Sequence, residues 1–316
     1  MVGKLTPDDM MSCSRLPALL GFSKYRTPND ELKYTMNAIK GIDNEFIDNE
    51  PMQWGNAMEA MILTESATRL GLESYDLSHD KAYFHDKIRL ACSLDGTATG
   101  QGQEIFTDVD RGIFVMGQES IKLDGLGILE AKLTSNEVES EPAVYRGVIQ
   151  IQGQMDIMDA KWGALCVLYR GTQLRIFLYA PNQDQINMIH QAVDEFQSKI
   201  EKFKLNEETD WYPLTNSQEA TRLFDHADKI TVDIPEIELQ AEKILELRET
   251  IHEAESAIDR LQANIMQQMR DAEVCNAGRY KISWPMRKYN AQPPKMVPAK
   301  QAYVIRQSKI SIRDRI

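Results

Sequence analysis

The sequence predicts an α/β protein in which a central mixed sheet is flanked by helices, followed by a long C-terminal helix and a basic tail. Capped helical segments give way from residue 81 to short runs rich in β-branched and aromatic residues, which are typical of strands. Isoleucines then recur every seven residues from Ile237 to Ile265. We therefore expect a folded core at 1–205, a linker and heptad helix at 206–275, and a basic aromatic tail at 276–316.

Helices in the core are predicted from their ends. A serine or threonine precedes several apolar-periodic segments and a glycine follows them, and these residues favour the two ends of a helix. Ser12 or Ser14 is the expected first residue of the first helix. The predicted helices cover residues 12–21, 28–41, 51–70, 142–159 and 183–203.

Strands are predicted between those helices. They cover residues 82–84, 88–94, 113–116, 126–133, 163–169 and 174–179. The last two are separated by Arg170-Gly171-Thr172, a turn sequence that predicts a hairpin. Because strands and helices alternate, we expect them to build one layered α/β fold.

The heptad segment predicts one long helix. Leu247, Ala254 and Leu261 follow their isoleucines by three residues, which continues an apolar seam over about four heptads. The seam is short and is interrupted by Gln240 and Gln268. We therefore favour a helix that packs on the body or on a neighbouring helix over an intermolecular coiled coil.

Charge and composition limit the function classes. The net charge is −12, but residues 276–316 carry +9, which leaves −21 on the rest of the chain. This distribution suits a partner bound at one end, or an acidic active site that needs metal ions.

There is no apolar run of about 18 residues and no basic-then-apolar leader, so a cytoplasmic protein without a membrane span is expected. The four cysteines form no CxxC pair and are expected to be reduced.

Two acids and a lysine form the candidate catalytic group. Glu130 and Lys132 lie two residues apart on a predicted strand, so their side chains point to the same face. Asp95 ends an earlier strand at a turn, from which its carboxylate reaches an adjacent strand end. Both carboxylates and the Ala131 carbonyl are ligands that suit Mg²⁺. Lys132 is then placed to orient or deprotonate a nucleophile and to offset phosphate charge.

Three further motifs accompany this group. Ser14 starts a helix whose free amides suit an anion, although a plain N-cap explains it equally well. Glu59, in Gly55-Asn56-Ala57-Met58-Glu59, is a further carboxylate on the helix at 51–70, and an exposed surface glutamate is the alternative. Gln150 and Gln154 are four residues apart and share a helix face, from which either amide can bind the lysine, water or a phosphate. We favour Gln150.

The order of these motifs over residues 12–180 resembles the PD-(D/E)XK nuclease superfamily, and more closely its YqaJ-like viral recombinase, or lambda exonuclease, branch. The resemblance extends to Tyr25-Arg26-Thr27-Pro28 and to the Gln-x-Gln segment at 145–155. It implies a PD-(D/E)XK core, with catalytic residues Asp95, Glu130, Lys132 and Gln150. It implies metal ligation by Asp95, Glu130, the Ala131 carbonyl and Glu59, and phosphate or DNA contacts from Ser14, Arg15, Arg26 and Gln154.

The resemblance also implies an activity. It is a Mg²⁺-dependent DNA exonuclease, with Mn²⁺ as a substitute, that digests linear double-stranded ends from 5′ to 3′ for phage-type recombination by single-strand annealing. The implied partners are a duplex DNA end, further copies of the chain in a homo-oligomer, by resemblance a trimer, and a single-strand annealing protein. For a phage-encoded protein the implied compartment is the host cytoplasm.

Two departures from the family pattern stand out. Asp95 and Glu130 are 35 residues apart, so residues 99–123 must form an inserted hairpin, and Asp124 becomes a rival for the first metal acid. We keep Asp95 because its Ser-x-Asp-Gly setting matches better. The arginine that the branch places before its serine has no equivalent here, and Arg15, Lys24 or Arg26 is the expected substitute.

Two alternatives remain open at this stage. One is another nuclease of the superfamily, either a RecB-like single-strand exonuclease or a structure-specific endonuclease. The other is a non-catalytic DNA-binding recombination scaffold. The tail at 276–316 is either a DNA-binding arm or a docking surface, and its tryptophan and tyrosines favour packing against the body or a neighbour.

Overall fold

The computed structural model of the protein describes residues 5–42, 44, 49–205, 209–224 and 231–286. The chain falls into two compact units, residues 1–223 and 224–316. The first unit holds the predicted α/β core, and the second holds the predicted long helix. The basic tail beyond residue 286 lies outside the described residues.

The described part of the first unit alternates helices and strands along the chain. Its helices are α1 (Leu16–Leu19), α2 (Pro28–Ile39), α3 (Glu50–Leu70), α4 (Val148–Met158), α5 (Gln183–Lys204) and α6 (Ser217–Leu223). Its strands are β1 (Met11–Ser12), β2 (Ser74–Asp76), β3 (Tyr83–Phe84), β4 (Leu90–Cys92), β5 (Gly96–Phe106), β6 (Ile113–Val115), β7 (Ser120–Thr134), β8 (Trp162–Tyr169) and β9 (Gln173–Tyr179).

Local signals at the helix ends explain α2 and α3. Thr27 caps α2 in a reciprocal capping box with Asp30, and Gly71 closes α3 in the left-handed region at φ 68°. The short helix predicted at 12–21 is present as a 3-10 turn at Cys13–Arg15 that continues into α1, but its first residue, Ser12, is not helical. Met11 and Ser12 form β1 instead, since they pair in parallel with Leu90 and Ala91 of β4.

The central sheet has the strand order β2-β5-β7-β8-β9-β6. The β7–β8 and β9–β6 pairs are parallel and the other pairs are antiparallel, which confirms the predicted mixed sheet. The predicted inserted hairpin is present as the antiparallel ribbon of β5 and β7, which runs from Gly96 opposite Leu129 to Phe106 opposite Ser120. Its connecting segment contains β6, which joins the far edge of the sheet beside β9.

Helices cover both faces of this sheet. Residues of α3, including Leu63, pack in one hydrophobic cluster with Leu129 and Trp162. The other face packs against α1, α2, α4 and α5 in a second cluster that includes Ile128. Because side chains alternate along β7, Glu130 and Lys132 lie on the same face as Ile128, the face that α4 covers.

The second unit consists of one long helix and a hairpin among its described residues. Helix α7 covers Glu238–Met269, which confirms the helix predicted from the heptads. Strands β10 (Val274–Ala277) and β11 (Tyr280–Ser283) pair in an antiparallel hairpin at the start of the predicted tail. Among the residues described, no helix has the length and apolar character needed to cross a membrane.

Candidate active site

Glu130 is the buried centre of the candidate active site. It lies on β7, its side chain is 1% exposed, and three side chains donate hydrogen bonds to its carboxylate. Lys132 Nζ lies 2.5 Å from Glu130 Oε1, as expected for two residues that share a strand face. A buried carboxylate normally needs such compensation, because burial strongly disfavours an unpaired charge.

Helix α4 supplies the other two donors. Gln150 Nε2 lies 2.6 Å from Glu130 Oε1, and Gln154 Nε2 lies 2.7 Å from Glu130 Oε2. Gly147 allows the helix to begin this close to the sheet. Its φ is 114°, and a Cβ there would lie 2.8 Å from a methyl carbon of Leu165. Gln154 Nε2 also donates to the Ser93 carbonyl, so the amide hydrogens of this fully buried side chain are used within the protein, and its phosphate contact stays a prediction.

Asp95 reaches the same strand from β5. It directly precedes Gly96, which pairs with Leu129, and its Oδ2 accepts a hydrogen bond of 2.9 Å from the Ala131 amide. The rival acid, Asp124, is exposed and lies six residues before Glu130 on the same strand, about 20 Å away at strand spacing. The structure therefore brings Asp95, and not Asp124, beside Glu130 and Lys132.

Electrostatics link four groups at this site. Burial, the Glu130 charge and the Glu59 charge raise the pKa of Asp95 well above its usual value, against the opposing effect of Lys132. Burial and Glu130 also raise the pKa of Glu59 on α3. Burial alone would lower the pKa of Lys132, but Glu130, Asp95 and Glu59 outweigh it and raise that pKa. Three acids around one lysine leave an excess of negative charge.

The donor set fits a hard divalent cation. Asp95 and Glu130 are oxygen ligands, and their mutual repulsion, visible in the raised pKa of Asp95, is relieved by positive charge. A carboxylate has about four acceptor sites. Lys132, Gln150 and Gln154 use three of those of Glu130, so Oε2, which accepts only from Gln154, retains one for a further ligand.

Gln154 is expected to position Glu130. Replacing Gln154 with leucine removes the bond to Oε2, and we expect activity or metal affinity to fall by about 10–100-fold, the usual cost of losing a group that orients a metal ligand. The matched control is Gln152→Leu, because Gln152 is equally buried on α4 but bonds the Ala180 carbonyl and the Asn182 amide instead. Mg²⁺ titrations of both variants measure the difference. Equal effects in the two variants would contradict this role.

The candidate phosphate-binding residues lie near the start of the core. Ser14 is exposed and its hydroxyl lies 3.2 Å from that of Ser12. Arg15 is 7% exposed, pairs with Glu31, and donates to the Met10 carbonyl and the Thr35 hydroxyl. Its guanidinium thus ties α2 to the segment before α1.

Arg26 is the more accessible arginine. Its Nε lies 2.9 Å from Glu31 Oε1, and its side chain is 41% exposed. Nearby, the Lys24 ammonium lies 5.1 Å from the centre of the Tyr145 ring. Of the cations predicted for phosphate, Arg26 and Lys24 therefore keep more exposed positions than Arg15.

A second cluster was not predicted from the sequence. His85, Asp156 and His190 offer ligand atoms that all lie within 4.8 Å of one another, close enough to hold one metal ion. Both imidazoles contact Asp156 Oδ2 through Nε2, at 3.2 Å for His85 and 2.6 Å for His190. The three residues are far apart in sequence and form no motif. Asp156 also lies on the opposite side of α4 from Gln154, because two residues turn a helix by about 200°.

The His85 tautomer bears on metal binding. Its Nδ1 accepts hydrogen bonds from the backbone amides of Lys87 and Ile88, at 3.0 and 3.2 Å. In the neutral ring the proton therefore resides on Nε2, which lies 3.2 Å from Asp156 Oδ2. Coordination of a metal through Nε2 requires that this proton leaves the ring or moves to Nδ1. A proton on Nδ1 would break the hydrogen bonds from the Lys87 and Ile88 amides.

The mixed sheet, with an acid at the start of one strand and a Glu-x-Lys pair on its neighbour, defines a PD-(D/E)XK-type protein. Residues 7–161 match the YqaJ-like viral recombinase domain, so the first unit of this chain contains a domain of that family. No curated protein matches the sequence.

Solved structures of exonucleases are similar to this chain. The structure of LHK-Exo in complex with dAMP is 15% identical, covers 63% of this chain and 95% of its own, and has a TM-score of 0.45. An alkaline exonuclease from Laribacter hongkongensis is 14% identical, with coverages of 63% and 94% and a TM-score of 0.44. A phage-related exonuclease from Haemophilus somnus 129PT is 14% identical, with coverages of 62% and 96% and a TM-score of 0.43.

Proposed function

We propose that this protein is a metal-dependent deoxyribonuclease that digests linear double-stranded DNA from its ends, in the 5′ to 3′ direction. The observation that carries the proposal is that Asp95, from the segment before β5, accepts a hydrogen bond from the Ala131 amide between Glu130 and Lys132 of β7. Two glutamines of α4 hold Glu130. Membership of residues 7–161 in the YqaJ-like viral recombinase family supports DNA as the substrate.

The carboxylates and one carbonyl would hold Mg²⁺. Asp95, Glu130 and the Ala131 carbonyl are the ligands we assign, with Glu59 of α3 as an additional acid whose charge raises the pKa of Asp95. When bound, Mg²⁺ activates water and stabilises the charge of the phosphate under attack. Mn²⁺ takes similar oxygen ligands and is expected to substitute.

Lys132 contributes a fixed positive charge. Burial would lower its pKa, but the carboxylates of Glu130, Asp95 and Glu59 outweigh this effect and raise the pKa. Lys132 is therefore assigned to orient the nucleophile and to offset phosphate charge through its N–H donors.

The family match supports a proposal for the wider role. A 5′ to 3′ digestion of duplex ends leaves a single strand, which is the substrate of a single-strand annealing protein in phage-type recombination. We assign this chain the digestion step, as a homo-oligomer on a DNA end. Sequence-independent digestion requires contacts to phosphates rather than to bases, and Arg26 and Lys24 are the more exposed cations predicted for that purpose.

A labelled-DNA assay tests this proposal. Linear duplex carrying a label at either the 5′ or the 3′ ends, a closed circle and a linear single strand are incubated with the protein and Mg²⁺. We expect early release of 5′ label as mononucleotides, an intact circle and no product in EDTA. Cleavage of the circle would indicate an endonuclease, and preference for the single strand would indicate a RecB-like enzyme. Duplex binding without any cleavage would indicate a non-catalytic scaffold.

A further inference from the structure

Helix α7 presents an apolar seam whose members are exposed in the part of the chain that the structure describes. Ile251, Ile258 and Leu261 are 55–62% exposed, and Ile237 and Leu247 are at least half exposed. These residues occupy the first and fourth positions, a and d, of successive heptads. A seam of this length on a 32-residue helix is the pattern of a coiled coil, in which the two helices cover each other's apolar residues.

We propose that α7 pairs with α7 of a second copy of this chain in an antiparallel coiled coil. Heptad pattern alone does not set the direction of the partner, but the charged residues beside the seam do. These occupy the positions e and g, which face each other across the two edges of a coiled coil and set partner orientation. In α7 the charged members are Lys243, at g, and Arg248 and Glu255, at e.

A parallel homodimer places like charges together. In a parallel pair, a g residue faces the e residue five positions later on the other helix. Lys243 would then face Arg248 of the second copy, and symmetry would repeat this contact. Like-charge contacts at these positions disfavour the arrangement.

An antiparallel homodimer reverses the sign of this interaction. When Ile251 faces Ala254 of the second copy, Ile244 faces Leu261 and Leu247 faces Ile258, so the central apolar positions are all covered. The e positions then face each other, and Arg248 of each copy lies opposite Glu255 of the other. Gln240 and Gln268 fall in the end layers, where water remains accessible.

The same charges select one register. Sliding the second helix by one heptad in one direction places Arg248 opposite Arg248 of the other copy. Sliding it in the opposite direction places Glu255 opposite Glu255. Both shifts also shorten the covered seam. A second copy of α7 is therefore complementary to the first in a single antiparallel register, in both apolar pattern and charge.

The oligomeric mass of the full-length chain tests the proposal. We expect the double variant Ile251→Asp, Ile258→Asp to raise the dissociation constant of the α7 pair by more than about 100-fold, because two carboxylates enter a desolvated seam. At micromolar concentration the mass measured by light scattering then falls by half, because the α7 pair joins two assemblies that the core does not join. The matched control is Leu239→Asp, Leu245→Asp, which changes two exposed leucines off the seam and is expected to keep the wild-type mass. Equal masses for wild type and seam variant would overturn the proposal.

Cross-linking tests the orientation. In a Cys275→Ser background the remaining native cysteines are buried, so introduced thiols are the reactive ones. We expect a short bismaleimide to join two chains that each carry Ile244→Cys and Leu261→Cys. Neither single variant should cross-link, and within one helix these positions are about 25 Å apart. Cross-linking of Ile244→Cys alone would show a parallel pair and overturn the assignment. Mass and cross-linking are measured without DNA, so they are independent of the proposed nuclease activity.

Discussion

Replacing Lys132 with alanine is expected to lower the rate of duplex digestion by about 1,000-fold, within the range that one positioned charge or proton donor contributes in other enzymes. The reason is the position of its ammonium, 2.5 Å from Glu130 and surrounded by three acids that hold it in the charged form. Without it, negative charge at the site is no longer offset when the phosphate approaches. The measurement is the initial rate of mononucleotide release at saturating Mg²⁺.

Lys122→Ala is the matched control for this experiment. Lys122 lies on the same strand but is exposed on the β5–β7 ribbon, opposite Glu104. Its loss is expected to change the rate by less than about threefold, as for most exposed surface positions. If Lys132→Ala digests DNA within tenfold of wild type while keeping its circular dichroism spectrum, Lys132 has no part in the reaction.

Replacing Asp95 with asparagine is expected to stabilise the metal-free protein while abolishing activity. The pKa of Asp95 is raised in the folded state by burial and by Glu130. A raised pKa means that the folded protein favours the protonated form, so the stability it contributes is lost as pH rises through the folded pKa. Asparagine removes the charge but still offers an oxygen to the Ala131 amide, which donates to Asp95 in the wild type.

The expected signature is thermal. In EDTA at pH 8, Asp95→Asn should melt about 2–4 °C above wild type, the shift that 1 kcal/mol gives in a domain of this size. The difference should shrink as pH falls, because the wild-type carboxyl then becomes protonated. Mg²⁺ should raise the melting temperature of wild type and have little effect on the variant.

Asp124→Asn provides the control for Asp95. Asp124 is exposed on the β5–β7 ribbon, and its replacement should leave melting temperature, Mg²⁺ stabilisation and DNA digestion unchanged. An Asp95→Asn variant that melts below wild type in EDTA, or that Mg²⁺ stabilises as strongly as wild type, would contradict the assignment of Asp95 to the cation. If Asp124→Asn instead melts above wild type in EDTA, loses its stabilisation by Mg²⁺ and loses activity, Asp124 is the metal acid.

The sequence by itself determined the elements whose signals are local. Capping residues and closing glycines located α2 and α3, and the seven-residue period located α7. The period of two on a strand was enough to place Glu130 and Lys132 on one face. Each of these signals lies in residues that are close in sequence, within about two helical turns or two residues of a strand. No knowledge of distant contacts was needed.

Only the tertiary structure decided the rest, because it depends on residues far apart in the chain. Strand β5 exists through its pairing with β7, and that pairing brought Asp95 rather than Asp124 to Ala131. The packing of α4 on the sheet gave Gln154 a bond to Glu130, and the same packing assembled His85, Asp156 and His190. No spacing in the sequence encodes such contacts, since chain folding alone sets the distance between their members.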